Sequence, residues 1–229
     1  GGECPVCLDP LSGGAACALP CKHTFHQECV RQLRKHGVQQ VCPLCRATLS
    51  AGPEKLFEDA ARMYVTVVRQ VGGEKPELWR SLTDSQQRKM AMVIDMCTSA
   101  ATDESHADAQ FLLGMIYHGG HGVAQDFQEA ANWVRKAAHQ GLPGAQYSLG
   151  VVYSLGQGVA EDKKKATQWY RKAADQGHAD AQVNLGVSYH HGVGVAQDVQ
   201  KAAHWWQKAA DRGHADAQKM LMQTQGTMP

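Results

Sequence analysis

Residues 106–141 read HADAQFLLGMIYHGGHGVAQDFQEAANWVRKAAHQG, and the pattern returns at 142–177 and 178–213, with a partial fourth copy over 214–229. The register is strict at a period of 36 residues. Ala109, Ala145, Ala181 and Ala217 coincide, each followed by Gln. So do Gly114, Gly150 and Gly186; Tyr117, Tyr153 and Tyr189; Gly122, Gly158 and Gly194; Asp126, Asp162 and Asp198; Trp133, Trp169 and Trp205; Gly141, Gly177 and Gly213. A unit this short cannot bury its apolar face alone, so regular self-similarity means stacked copies, a solenoid.

Each copy reads as two antiparallel helices. The first runs from about Ala107 to His118, and the glycine inside it costs about 1 kcal/mol relative to Ala. Its return in every copy predicts that helices approach closely there. A Gly-rich loop follows. Asp126 then caps the second helix, with Glu129 completing a capping box. Ala130, Trp133, Val134 and Ala137 form its expected buried stripe, and Gly141 ends it. Gly120-x-Gly122 is no dinucleotide loop, because a third glycine and a preceding strand are missing. The Lys163-Lys164-Lys165 run and the His190-His191 pair read as solvated surface.

Upstream, residues 50–105 join this array to a different module. Ser50-Ala51-Gly52-Pro53 reads as a linker. Glu54–Val71 reads as an amphipathic helix with Leu56, Phe57, Ala60, Tyr64, Val67, Val68 and Val71 on one stripe. Gly72-Gly73 breaks it, and Thr83 with Gln86 forms a capping box for a helix to about Ala101. That helix falls in repeat register and is expected to cap the solenoid, with Cys97 buried at the position of Trp169.

Residues 1–49 hold seven of the eight cysteines, and all five tryptophans lie beyond them. Two Cys-x-x-Cys pairs, Cys4/Cys7 and Cys42/Cys45, bracket Cys21-Lys-His23-Thr-Phe-His26-Gln-Glu-Cys29. Those eight thiols and imidazoles are the donor set of two tetrahedral zinc sites. A disulfide framework explains the pairs but not the interleaved histidines, and leaves an odd thiol. About 45 residues bury too little apolar surface to fold securely alone, and each structural zinc contributes on the order of 10 kcal/mol. Cys17 is read as a spare thiol.

The ligand order C-x2-C-x13-C-x-H-x2-H-x2-C-x12-C-x2-C resembles the RING-H2 zinc finger over residues 4–46. A PHD finger differs, with Cys where His23 stands and a single His. The resemblance implies interleaved ligation: Cys4, Cys7, His26 and Cys29 on one zinc, Cys21, His23, Cys42 and Cys45 on the other. Both sites are closed, so zinc is structural and no catalytic residue is expected on this chain. It also implies a ubiquitin ligase that binds a ubiquitin-charged E2 enzyme through Val6, Leu33, Pro43 and Leu44. Arg46 matches a cation that contacts both E2 and ubiquitin. Leu33 stands where the family often has Trp.

The repeat pattern A-x-A-Q-x-x-L-G…Y…G-x-G-V-x-x-D…A-x-x-W…K-A-A…G looks like Sel1-like repeats, relatives of the TPR helix pair. Such arrays bind proteins on their concave surface, which implies recruitment of a protein substrate or adaptor. The expected whole is mostly α: a zinc-stapled cross-brace module over 1–49, a helical cap over 50–105 and a solenoid over 106–229. A zinc-stapled scaffold without ligase activity is the rival expectation.

Charge supports protein partners. Lys and Arg number 23 against 22 Asp and Glu, giving +1. The three segments carry +2, −2 and +1, with none of the basic excess that a phosphate backbone demands. No apolar run approaches the ~18 residues of a membrane span. The start at Gly1-Gly2 without Met fits a fragment or a processed product. Thiolate ligands and ubiquitin chemistry favour a cytoplasmic or nuclear location.

Overall fold

The computed structural model describes residues 3–4, 6–13, 16–18, 23–26, 28–30, 32, 44, 52–101 and 106–225. The chain divides into two compact units, Gly1–Asp59 and Ala60–Pro229.

The first unit carries an antiparallel ribbon of β1 (Ala16–Ala18) and β2 (Thr24–His26), with Cys17 opposite Phe25. A 3-10 turn, Leu11–Gly13, precedes β1. Phe25 and Val30 are buried together with Cys4, and Leu11 and Cys29 pack against them.

The helix α1 (Pro53–Val71) continues into the second unit, where Ala60, Tyr64 and Val67 form its buried stripe. A 3-10 turn, Pro76–Ser81, buries Trp79. Helix α2 (Asp84–Ala101) begins at a formed capping box. The Thr83 N–H donates to Gln86 Oε1 at 2.9 Å, and the Gln86 N–H donates to Thr83 Oγ1 at 3.3 Å. Met90, Val93, Cys97, Ala100 and Ala101 are its buried face, against which α3 packs. Burial pushes the Cys97 thiol up to about 12, so it stays a neutral packing group.

Three helix pairs follow: α3 (Ala107–Gly119) with α4 (Phe127–His139), α5 (Pro143–Leu155) with α6 (Lys163–Asp175), and α7 (Ala179–His191) with α8 (Val199–Ala210). Helix α9 (Ala215–Gln225) packs on α8. The second helix of each pair is capped as its Asp predicts. Asp126 Oδ1 accepts from the N–H groups of Gln128 and Glu129, Asp162 from Lys165 and Asp198 from Lys201, all at 2.9 Å. Where the first copy has Glu129, the others have Lys165 and Lys201, which pair with the capping carboxylates at 3.2 and 2.9 Å.

The recurring glycine inside each first helix receives a side chain from its partner helix. A Cβ on Gly114 would meet Val134 at 2.6 Å, and one on Gly150 would meet the Tyr170 ring at 2.5 Å. On Gly186 it would strike the Trp206 indole. Of the expected stripe, Ala130, Val134 and Ala137 are buried, and only Trp133 lies higher on the helix face. The deepest residue is the one after the periodic Trp: Val134, Tyr170 and Trp206 are buried, whereas Trp133, Trp169 and Trp205 are half-buried. Each periodic indole is instead covered by a lysine three residues on, with Lys136, Lys172 and Lys208 at 4.0, 3.9 and 4.4 Å from the ring centroid.

A ladder of buried amides ties copy to copy. Gln110, Gln146 and Gln182 are buried, and their Nε2 groups donate to the carbonyls of Ala101, Ala138 and Ala174. Gln140 Nε2 donates to Gln110 Oε1 at 2.7 Å, and Gln176 Nε2 to Gln146 Oε1 at 2.8 Å. The third rung is broken. Arg212 stands where a glutamine is due, it donates to the Gly177 carbonyl, and Gln182 Oε1 is left buried without a partner.

Candidate metal centre

The turn Cys4-Pro5-Val6-Cys7-Leu8 sets two thiols side by side. The Leu8 N–H donates to the Cys4 carbonyl and the Cys4 N–H donates to Asp9 O, both at 2.8 Å. Leu8 closes the turn with a left-handed φ of 65°. β2 brings His26 back towards this turn, and the helical residues after it present Cys29.

The donor atoms of Cys4, Cys7, His26 and Cys29 all lie within 4.8 Å of one another. Cys7 Sγ is 3.2 Å from His26 Nδ1. Donors on a tetrahedron around zinc, with metal–sulfur near 2.3 Å, sit roughly 3.5–3.8 Å apart, so one ion fits among these four. The imidazole is oriented for the task. His26 Nε2 lies 3.2 Å from the Pro10 carbonyl, which can only accept, so Nε2 carries the proton and Nδ1 turns its lone pair to the thiols. The His26 N–H also donates to Cys4 Sγ at 3.5 Å.

The thiols compete for charge. Burial raises Cys4, but the N–H groups of Cys7, His26 and Val6 aimed at its sulfur outweigh burial and bring it down to about 6. Cys29 is pushed up to about 12 by burial and by the neighbouring Cys7 and Cys4 sulfurs. Cys4 and Cys29 are thus driven in opposite directions, and a dication among the donors favours the thiolate at both.

The remaining expected ligands divide. His23 is half-buried just ahead of β2. Cys21, Cys42 and Cys45 lie outside the described residues, as do Leu33, Pro43 and Arg46. Of the expected E2 contacts, Val6 and Leu44 are described, and neither fills the core: they are 39% and 53% exposed. The sequence reading missed the Pro10 carbonyl, since a backbone acceptor has no residue-type signature.

Residues 2–46 match the family model of the ring finger domain, and residues 107–142, 143–178 and 179–214 each match that of the Sel1 repeat. A stretch of 91 residues is 25% identical to the E3 ubiquitin-protein ligase ZNRF4 of Macaca fascicularis, covering 39% of this chain and 21% of that protein. A stretch of 84 residues is 36% identical to the E3 ubiquitin-protein ligase RNF181 homolog of Drosophila melanogaster, covering 36% of this chain and 52% of that protein. The chain thus spans about a fifth of one curated relative and half of the other. Among solved structures, the Sel1 repeat protein from Oxalobacter formigenes is 41% identical over 56% of this chain and 95% of its own, with a TM-score of 0.52. No described helix is long and apolar enough to cross a membrane.

Proposed function

For a Sel1 repeat protein whose repeats follow a RING-type zinc finger, we propose the role of an E3 ubiquitin ligase that works through an E2 enzyme. Two structural zinc ions hold the RING module, one on Cys4, Cys7, His26 and Cys29, the other on Cys21, His23, Cys42 and Cys45. The observation that supports this most is the convergence of the first four donors, whose members interleave in sequence around the second set. Consecutive pairing would have joined Cys4 and Cys7 to Cys21 and His23 instead.

With four protein donors per ion, zinc supplies shape and no open coordination position. The chemistry is transfer of ubiquitin from the E2 thioester to a lysine amine, and this chain contributes position. Val6 and Leu44 are exposed apolar residues on the zinc turns. With Leu33 and Pro43 they form the E2 contact, and the Arg46 guanidinium bridges E2 and ubiquitin. Restraining the thioester in one reactive geometry lowers the entropic part of the barrier. The Sel1 repeats recruit the protein substrate or adaptor.

An autoubiquitination assay with a panel of E2 enzymes tests this. Activity is expected with at least one E2 and is expected to fall sharply in Arg46→Ala while two zinc ions stay bound. A folded two-zinc protein inactive with every E2 would leave a zinc-stapled scaffold as the function. Leu33, in place of the family's Trp, is the residue that would account for that outcome.

A further inference from the structure

The second repeat carries a concavity of about 440 Å³, lined by Lys164, Gln168, Arg171, Lys172 and Asp175 on one face of α6 and closed by Gly194-Val195 of the next loop. Its floor is fixed: Thr167 is buried, and its hydroxyl lies 2.9 Å from the Lys163 carbonyl and 3.1 Å from that of Val193.

Three cations line the cavity, and their neighbours show what is unusual about them. Lys163, Lys165 and Lys201 each have a carboxylate within 3.2 Å, on Glu161, Asp162 and Asp198. Among the described residues, no carboxylate pairs with Lys164, Arg171 or Lys172. Two of the three are nonetheless held in place. The Arg171 guanidinium donates to the Tyr189 hydroxyl and lies over the Tyr189 ring, and the Lys172 ammonium sits 3.9 Å from the Trp169 centroid. The arrangement is not a repeat feature. One copy earlier the lining positions are Gln128, Asn132, Arg135, Lys136 and His139; one copy later they are Gln200, His204, Gln207, Lys208 and Asp211. Only the second copy gathers three cations around the cavity.

We infer that this cavity is a docking site for an acidic protein segment, with the Arg171 fork and the Lys164 and Lys172 ammonium groups receiving successive carboxylates. Unneutralised cations in a concave wall focus the field and favour an anionic partner, and a guanidinium fork matches a carboxylate. Asp175 at one end opposes a uniformly charged chain and sets the direction of the segment. A peptide is favoured over a nucleic acid because the basic patch is confined to one repeat of a chain with net charge +1, whereas a phosphate backbone needs a continuous stripe. The inference rests on the reading of the repeats as the recruiting module and names the class of segment they take.

The test is fluorescence anisotropy on the full zinc-loaded chain. The probes are a labelled peptide alternating Glu and Gly, the matching Gln and Gly peptide, and a single-stranded oligothymidylate. The Glu peptide is expected to bind, and to bind more weakly as salt rises. The Lys164→Gln/Arg171→Gln variant is expected to bind about tenfold more weakly, with an unchanged melting curve, while Lys219→Gln is unaffected. If the double variant melts early, Lys164→Gln alone, at an exposed residue, carries the comparison. Absence of Glu-peptide binding, equal binding of the Gln peptide, or equal binding by the variant overturns the site. So does tighter binding of the oligothymidylate that is lost in the same variant. Autoubiquitination of the double variant should match the parent protein, and a chain inactive as a ligase should still bind the peptide, so the two readings fail separately.

Discussion

Two single residues decide how well packed elements fit, Gly150 within a copy and Arg212 between copies. Gly150 sits mid-helix, where alanine would be the better helix former, yet its missing methyl is the space occupied by the Tyr170 ring and the Ala166 carbonyl 3.2 Å away. Gly150→Ala is expected to destabilise the repeats by about 1–3 kcal/mol through overpacking, outweighing its propensity gain; thermal denaturation followed by circular dichroism measures it. Arg212 acts in the opposite sense. A glutamine there can donate to both the Gly177 carbonyl and the orphaned Gln182 Oε1, as Gln176 does to Gly141 and Gln146 one copy earlier. Arg212→Gln is expected to stabilise by about 1 kcal/mol, seen as a higher melting temperature. A Gly in a helix was legible as a close-approach signal. Which side chain fills the space was not, because the pattern locates the interface and leaves the rotation of the partner helix open.

Between elements, the seam where α1 and the 3-10 turn meet the first repeat rests on one histidine. His121 is buried, its ring stacks on Trp79 at 4.3 Å, and its Nδ1 shares a hydrogen bond of 2.8 Å with the Tyr64 hydroxyl. It thereby joins α1, the 3-10 turn and the loop after α3. Burial holds its pKa below the ordinary 6.5, the Glu74 carbonyl and carboxylate raise it in part, and His118 lowers it further. A folded-state pKa below the unfolded one gives stability that is present above about pH 6.5 and is lost as pH falls through the folded value. Melting temperature should therefore drop from pH 7.5 to 5.5. The drop should shrink in His121→Gln, which installs the residue that the second copy carries as Gln157. Helices α1 and α2 were readable from their stripe and capping box. The seam was not, since Tyr64, Trp79 and His121 are far apart in sequence and only His121 breaks the repeat.

At the scale of the molecule, two kinds of stabilisation share one chain. Among the described residues, the first unit buries Phe25 and Val30 beside four converging donors, Cys4 among them, while the second holds larger apolar clusters along its helices. Chelation of zinc is expected to unfold residues 1–49 and to leave the helical signal of the repeats in place; loss of that signal on chelation would contradict the division. The solenoid, its period and the Asp caps of its second helices follow from the residues alone, because a fixed repeat makes every local preference agree with its copies. The spacing of thiols and imidazoles also singled out Cys4, Cys7, His26 and Cys29 as donors, and these four converge. What depends on direction came from the folded chain. It brought His26 and Cys29 to Cys4 and Cys7, turned the His26 ring with the Pro10 carbonyl, and exposed Val6 and Leu44. It set Val134, Tyr170 and Trp206 deeper than the periodic tryptophans and left three cations of one repeat lining a cavity with no carboxylate paired to them. Spacing limits which residues can meet, but the rotation of each helix and the path of each turn decide which of them do.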